Sequence, residues 1–441
     1  MSMNTRDTLK TGENGHLFIG GADCAELAEK YGTPLYVYDK KYIEDICGVY
    51  SETLKREYGE GRILYASKAF SCKGIYKLID GLGLGADVVS GGELYTALQG
   101  GIAAEKLVMH GNNKTDAELE YAVESGVGVI VCDAFSEIER LSELCKKKNV
   151  AQDVMLRVNP GVEAHTHHFV QTATPDSKFG FSIMNGDALK AVKQAIAAPN
   201  ITLIGLHCHI GSQIFERESF ALAADKMTDF YKTVKDSIGY EFKALNLGGG
   251  FGIYYTDEDK KLSVGEYAGY VRAIVRKLNE CVLKKQLKKP FLFLEPGRSI
   301  VGEAGITLYT VGNVKEIKGI KNYAAVDGGM FESPRHALYG SRYTVVAAAR
   351  MNDKAEEVYS VAGKCCESGD IIAEDCRLPK LKRGDLLAVL STGAYNYSMA
   401  SNYNRNPVPP VVIAENGKSA LLVKPQSYKD IARNDCDCEL L

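Results

Sequence analysis

Lys68 follows the short apolar run Ile63-Leu64-Tyr65-Ala66 and precedes Ser71 and a helical pattern. The run reads as a buried strand, and an amine at its end is costly there without a partner. Two readings are open: the amine snorkels to solvent, or it is a nucleophile that forms a Schiff base. Gly248-Gly249-Gly250 allows backbone N–H groups to approach an anion closely, although tight turns also use such glycines. A single phosphate suits it better than a dinucleotide, because no G-x-G-x-x-G opens a helix with an acid about twenty residues on. Glu295, beside Pro296 and Gly297, reads either as a carboxylate paired with Arg298 or as the partner of a pyridinium nitrogen. In the second role it keeps the ring protonated and electron-withdrawing, which supports chemistry through a carbanion, such as loss of a carboxylate. An amine, a phosphate loop and a carboxylate of this kind are what pyridoxal 5'-phosphate requires.

Other stretches carry weaker signals. His209 lies in His207-Cys208-His209-Ile210-Gly211-Ser212. Histidines two apart on a strand share a face, so a metal is conceivable, but no third ligand stands at a familiar spacing and no metal is expected. His165-Thr166-His167-His168 sits on a long loop that reads as a lid. Cys365-Cys366-Glu367-Ser368-Gly369-Asp370 is either a turn with two buried thiols or a thiol proton donor beside a carboxylate that grips an ammonium group. Arg335 and Tyr339, four apart, can clamp a carboxylate, and Tyr395 can reach a phosphate.

The elements that must position these groups alternate regularly. Ile63–Ala66, Ala86–Val89, Lys106–His110, Val127–Cys132, Asp153–Val158, Ile201–His207, Ala244–Leu247 and Phe291–Leu294 read as short apolar strands. Helical patterns separate most of them, with Phe220, Ala223, Met227, Phe230 and Val234 on one apolar face and Tyr267, Val271, Ile274, Leu278 and Cys281 on another. Thr115–Glu118 and Ser136–Glu139 read as capping boxes. The expected fold is an α/β (β/α)₈ barrel, with an open doubly wound sheet as the alternative. In the barrel, chemistry belongs at strand ends, where Lys68, Asp87 to Glu93, His209, Gly248 and Glu295 all stand. After Gly302 the alternation gives way to strand-like runs at 307–311, 323–326, 344–348, 357–361, 386–390 and 419–423, the last after an Asn416-Gly417 hairpin turn. The predicted organisation is a barrel over 40–303, a mainly β domain from 1–39 and 304–433, and a tail at 434–441.

The chain has 441 residues and a formal net charge of −3, with both signs spread along it, so no footprint for nucleic acid is present. The lysine-rich stretches at 146–148 and 284–289 read as solvated helix ends. No apolar run spans a bilayer and no secretory signal is visible, so no membrane association is expected. The 12 cysteines are scattered and fit no zinc spacing, which points to a reducing, cytoplasmic compartment. Cys436 and Cys438 read as free thiols on the tail.

Taken in order, YASKA, HCHIGSQ, NLGGGFG, EPGR, CESGD and GAYNYSMAS resemble the diaminopimelate decarboxylases, pyridoxal-phosphate enzymes with an alanine-racemase-like barrel. The resemblance runs from about Pro34 to Lys424. It implies Lys68 as the Schiff-base lysine and His209 stacked on the pyridine face. Gly248 to Gly250, with Ser212, Gly297, Arg298 and Tyr395, would bind the cofactor, and Glu295 would face the ring nitrogen. Arg298, Arg335, Tyr339, Glu367 and Tyr395 would bind an amino-acid substrate, and Cys366 would return a proton after carbon dioxide leaves. In the family, Cys366 and Glu367 reach the site from the other subunit, which implies a homodimer. The implied reaction converts meso-2,6-diaminopimelate to L-lysine at the end of lysine biosynthesis. Sister decarboxylases of ornithine, arginine or carboxynorspermidine, a racemase and a non-catalytic regulator are the competing readings. Arg335 speaks against ornithine, which has no distal carboxylate, and Glu295 against a racemase. Lys364 and His336 depart from the family, which usually has proline at both places, and both bear on fine specificity.

Overall fold

The computed structural model describes residues 6–162 and 177–437. The histidine cluster at 165–168 and Cys438 lie outside the described residues. The chain divides into two compact units. One comprises Asp45–Ile253 and Leu262–Ile300; the other comprises Met1–Glu44, Tyr254–Lys261 and Val301–Leu441.

The first unit is a closed parallel barrel. Its strands are β1 (Gly61–Ala66), β2 (Gly85–Val88), β3 (Leu107–Met109), β4 (Val129–Cys132), β5 (Gln152–Asn159), β6 (Ile201–His207), β7 (Ala244–Asn246) and β8 (Phe291–Leu294). β8 pairs with β1, Leu294 opposite Ile63, and β4 pairs with β5, so the circuit has no free edge. An open doubly wound sheet is thereby excluded. Leu64, Val108, Val129, Val131, Met155, Ile204, Ala244 and Phe293 form a buried cluster drawn from every barrel strand except β2. β2 instead carries Gly85 and the buried Asp87, whose carboxylate turns to the site end of the barrel.

Helices bury the faces their spacing predicts: Phe220, Ala223, Met227, Phe230 and Val234 are buried on Arg217–Ile238, and Val271, Ile274, Leu278 and Cys281 on Ala268–Lys284. Thr115 forms the expected capping box with Glu118 at the start of Asp116–Ser125. The box expected at Ser136 does not form. That helix starts at Phe135, with Ala134 at its cap. Glu137 is instead drawn inward, 2.6 Å from the buried Lys114 amine, and accepts the Asp133 N–H at 2.9 Å. A buried ion pair outweighs an exposed cap here, because either charge alone would be stranded.

The second unit is built on a nine-stranded sheet. Leu35–Asp39 lies inside it, antiparallel to Gly305–Ile317 and parallel to Val411–Glu415. Leu17–Ile19 belongs to a separate three-stranded sheet. Within the nine-stranded sheet, two strands have no counterpart in the sequence reading, Ile371–Leu378 and Val411–Glu415. The first is interrupted by Glu374, Asp375 and Arg377, and the second follows Pro407, Pro409 and Pro410, which read as loop. Asn416 and Gly417 both take positive φ, 50° and 77°, at the hairpin between Val411–Glu415 and Lys418–Val423.

Candidate active site

The C-terminal ends of the barrel strands converge on one group of polar side chains. Lys68 leaves β1 on a short turn, Ser67–Ala69. Its side chain is exposed, not buried as its position at a strand end suggests, and it makes no hydrogen bond or ion pair among the described residues. No direct ion pair among the described residues therefore holds this amine, although its charge reaches Asp87 and Glu93 and favours their ionised forms. Behind it, Asp87 accepts the Ser67 N–H at 3.0 Å. Burial, and next the charge of Glu295, push the Asp87 carboxyl well above the usual carboxylate range. Burial likewise pushes Glu93 up, although it accepts the Val89 N–H at 2.8 Å.

Glu295, at the end of β8, is the centre of the group. Asn246 donates to its Oε1 at 2.6 Å, His207 Nε2 lies 3.2 Å from Oε2, and His110 Nε2 lies 2.7 Å from Oε1. Burial opposes its ionisation, but His110 and His207 outweigh burial and hold Glu295 well below the usual carboxylate range. The pairing with Arg298 suggested by adjacency does not occur. Arg298 instead donates to Ser212 Oγ, at 3.2 Å from Nε and 3.0 Å from Nη2. The reason is geometric: a strand's next residues leave its end in different directions, whereas β7 is hydrogen-bonded beside β8 and the closed circuit brings the ends of β3 and β6 to the same group.

His209 is half-buried after β6, and its Nδ1 accepts the Gly249 N–H at 3.3 Å, which places its ring over the glycine loop. Burial, then the charge of Lys68, holds this imidazole well below its usual range, so it is neutral. Gly248 and Gly250 take φ of 66° and 104°, open to glycine and strained for other residues. A Cβ on Gly250 would stand 2.0 Å from the Gly211 carbonyl oxygen, and one on Gly297 2.6 Å from the Ala66 Cβ.

These residues fit pyridoxal phosphate. An exposed amine with no hydrogen bond or ion pair among the described residues, a neutral imidazole, a Ser–Arg pair beside a glycine loop and an ionised buried carboxylate are its complementary groups. Asn246 and His207 are hydrogen-bonded to Glu295 and His110 stands against Oε1, whereas a carboxylate offers about four acceptor sites, so room remains for a ring N–H.

In the second unit, Arg335 opens the short helix Arg335–Tyr339 and is buried. It donates to Tyr343 Oη at 3.2 Å and Ser341 Oγ at 3.3 Å, with its guanidinium 5.4 Å from the Tyr339 ring centre and 5.2 Å from that of Tyr395. Among the described residues no carboxylate forms an ion pair with it. A guanidinium stays charged even when buried, so this is a cation packed among tyrosines and short of an anion. Cys366 and Glu367 are exposed, and Cys365 is half-buried, so the turn does not hide two thiols. Asp370 ties this loop to the segment before Arg335, accepting the Cys365 N–H at 2.7 Å and the Met330 N–H at 2.6 Å. Of the two departures from the family pattern, His336 Nδ1 lies 3.0 Å from the Ser341 carbonyl oxygen, and Lys364 is exposed.

The fully buried Glu332 anchors the same segment, accepting from Tyr309 at 2.7 Å, Tyr36 at 3.1 Å and the Gly329 N–H at 3.1 Å. Burial wins over these bonds and pushes its carboxyl up to about 7. Between its ordinary value of 4.5 and about 7, the folded chain binds more protons here than the unfolded chain. The contribution of Glu332 to stability therefore falls as pH rises through that window. Glu332→Gln removes the titration and is expected to flatten the fall, shrinking the drop in Tm between about pH 5 and pH 7.5 by a few degrees in calorimetry. A drop as large as wild type in the variant contradicts this assignment.

Comparison with known proteins bears on the same residues. Residues 49–302 match the family described as pyridoxal-dependent decarboxylase, pyridoxal binding domain. The chain is 48% identical over 428 residues to the diaminopimelate decarboxylase of Bacillus subtilis, covering 97% of each. It is 49% identical over 417 residues to that of Bacillus methanolicus, covering 95% of this chain and 96% of the relative. The chain belongs to the diaminopimelate decarboxylase family. Among solved structures, the M. jannaschii diaminopimelate decarboxylase in complex with L-lysine superposes with a TM-score of 0.91 at 36% identity, covering 99% of both chains. The Helicobacter pylori diaminopimelate decarboxylase with L-lysine gives 0.83 at 30%, covering 93% of this chain and 98% of that one. The barrel is this family's pyridoxal-binding domain.

The barrel brings together Lys68, His209, Ser212, Gly248–Gly250, Glu295, Gly297 and Arg298; the β-rich unit carries Arg335, Tyr339, Cys366, Glu367 and Tyr395. Two residues escaped the sequence reading, His110 and Asn246. A signal for His110 existed, since it stands just past the end of β3, as Lys68 and His209 stand just past β1 and β6. Asn246 had a weaker one, a lone amide at the end of an apolar strand that has no business being buried unpaired.

Proposed function

We propose that this protein removes the carboxylate from one end of meso-2,6-diaminopimelate, giving carbon dioxide and L-lysine in the last step of lysine biosynthesis. The observation that carries the substrate choice is Arg335, a buried cation without an anionic partner among the described residues. Diaminopimelate keeps a distal carboxylate to meet it, whereas ornithine and arginine do not. L-lysine held in the M. jannaschii and Helicobacter pylori relatives supports the product.

Pyridoxal phosphate, when bound, supplies the electron sink for the pair freed as the carboxylate departs. Lys68 would provide the amine that anchors the cofactor, and His209 would cover its ring. Gly248 to Gly250, Ser212, Gly297, Arg298 and Tyr395 would hold its phosphate end, and Glu295 would keep its ring nitrogen protonated. Arg298, Arg335, Tyr339 and Tyr395 bind the substrate, and Glu367 takes its distal ammonium. Cys366 delivers a proton from Sγ to the carbon that lost its carboxylate. The exposure of Cys366 and Glu367 suits a further reading, that the active form is a homodimer in which both reach the partner's site. No disulfide is present among the described residues, which supports a cytoplasmic setting. Among the described residues no helix is long and apolar enough to cross a membrane.

Arg335→Leu tests the substrate assignment. It is expected to lower kcat/KM for diaminopimelate by at least about 100-fold, mainly through KM, because the distal carboxylate loses its charged partner. Unchanged kinetics in the variant would remove Arg335 from the substrate site.

A further inference from the structure

Glu295 presents a physical problem that its two histidines resolve. A carboxylate out of water takes up a proton unless something compensates for the lost hydration. No lysine or arginine pairs with Glu295 among the described residues. The cation whose field reaches it, Arg157, stands 3.9 Å from Asp133. What touches Glu295 is Asn246 and the two imidazoles.

We propose, building on the reading of Glu295 as the pyridine-nitrogen partner, that His110 and His207 are a pair of positioning residues that keep the Glu295 carboxylate ionised and fixed for the cofactor ring. Both imidazoles are buried and both present Nε2 to the carboxylate, one to each oxygen. Burial lowers His207 to about 4, so it is neutral at physiological pH. Its single proton then belongs on Nε2, facing Glu295, and its Nδ1 is left buried without a hydrogen-bond partner among the described residues. An orphaned acceptor of this kind is rare, and here it is the cost of aiming the other nitrogen. The rings pack edge to face with centres 4.6 Å apart, so neither can turn aside without displacing the other. His110 contacts Oε1 at ion-pair distance without a well-aligned hydrogen bond, which leaves that oxygen room to adjust when a ring N–H arrives.

A metal is the other use for two histidines and a carboxylate, and these three donors lie within 4.8 Å of one another. The 2.7 Å between His110 Nε2 and Glu295 Oε1 argues against it. Two ligands of one tetrahedral zinc at about 2.0 Å stand about 3.3 Å apart. This is the spacing of a donor and an acceptor in direct contact.

The titration of Glu295 in the full-length protein without added cofactor tests the pair. It is read by infrared difference spectroscopy against Glu295→Gln. The other charged or titratable groups that face Glu295 are Asp87, Arg157, Cys208 and His209, and all four are kept. Replacing His110 and His207 by phenylalanine is expected to raise the Glu295 midpoint by at least about two pH units. The dissociation constant for pyridoxal phosphate, read by absorbance, is expected to rise about 10- to 100-fold. Glutamine at both positions keeps a donor and is expected to recover part of both. If the double phenylalanine variant fails to fold by circular dichroism, His110→Gln alone carries the test through a smaller upward shift. A midpoint that stays at the wild-type value in a folded variant overturns the proposal. That result leaves lysine formation untouched, whereas a failure to form lysine with the titration as expected overturns the function alone.

Discussion

Alanine in place of Lys68 yields a folded protein that does not turn over. The rate is expected to fall by at least about 10⁴-fold, since the anchoring amine has no substitute within the barrel end. Lys68 is the group there with an exposed amine and no hydrogen bond or ion pair among the described residues. Its removal leaves Asp87, Glu93, His209 and Glu295 in place. Glu93 and Asp87 both lose a nearby positive charge. The visible absorbance that the cofactor acquires on joining the protein covalently is expected to vanish in the same variant. Circular dichroism checks the fold, and carbon dioxide release checks the rate. Activity within tenfold of wild type would falsify the assignment of Lys68.

Cys366→Ala carries the second large effect. Loss of a positioned proton donor costs about 10²- to 10⁴-fold in rate, and cofactor affinity is expected to change far less, because Cys366 lies outside the cofactor-binding set. The experiment extends to assembly. In a homodimer with shared sites, an inactive Lys68→Ala subunit still lends an intact Cys366 to its partner. Mixing it with Cys366→Ala then restores one native site per heterodimer, about a quarter of wild-type activity at statistical pairing. Heterodimers verified by mass spectrometry that stay inactive would place Lys68 and Cys366 in the same subunit's site.

The barrel was readable because most of its strands are short apolar runs and helical patterns separate most of them, two with a clear 3.6-residue stripe. Placing the candidate residues needed only the rule that chemistry stands at the C-terminal strand ends. Contacts between strand ends were another matter. Glu295 invited pairing with Arg298, three residues away, yet its partners come from β3, β6 and β7, and His110 is 185 positions distant by the numbering. Closure of the barrel makes those ends neighbours, and local spacing holds no record of that. Ser136 failed as a cap for a related reason: Glu137, which precedes the expected box's last residue by two, is claimed by Lys114 in the interior. In the β-rich unit, Ile371–Leu378 was hidden because its exposed face carries charge, and an edge strand needs only one apolar face. The motif residues Arg335, Cys366 and Tyr395 were recognisable by resemblance, while the absence of an ion-pair partner for Arg335 among the described residues required the structure.

Product analysis tests the central claim most directly. The purified protein, loaded with pyridoxal phosphate, is given meso-diaminopimelate, ornithine, arginine and carboxynorspermidine separately, and carbon dioxide and the amine product are identified in each case. The expected result is L-lysine and one carbon dioxide from diaminopimelate, with ornithine and arginine slower by at least about 100-fold for want of a carboxylate to meet Arg335. Preferred turnover of another substrate would keep the barrel chemistry and contradict the role of Arg335, with Lys364 and His336 the first residues to question. Carbon dioxide from none of the four, despite bound cofactor, would contradict the decarboxylase itself.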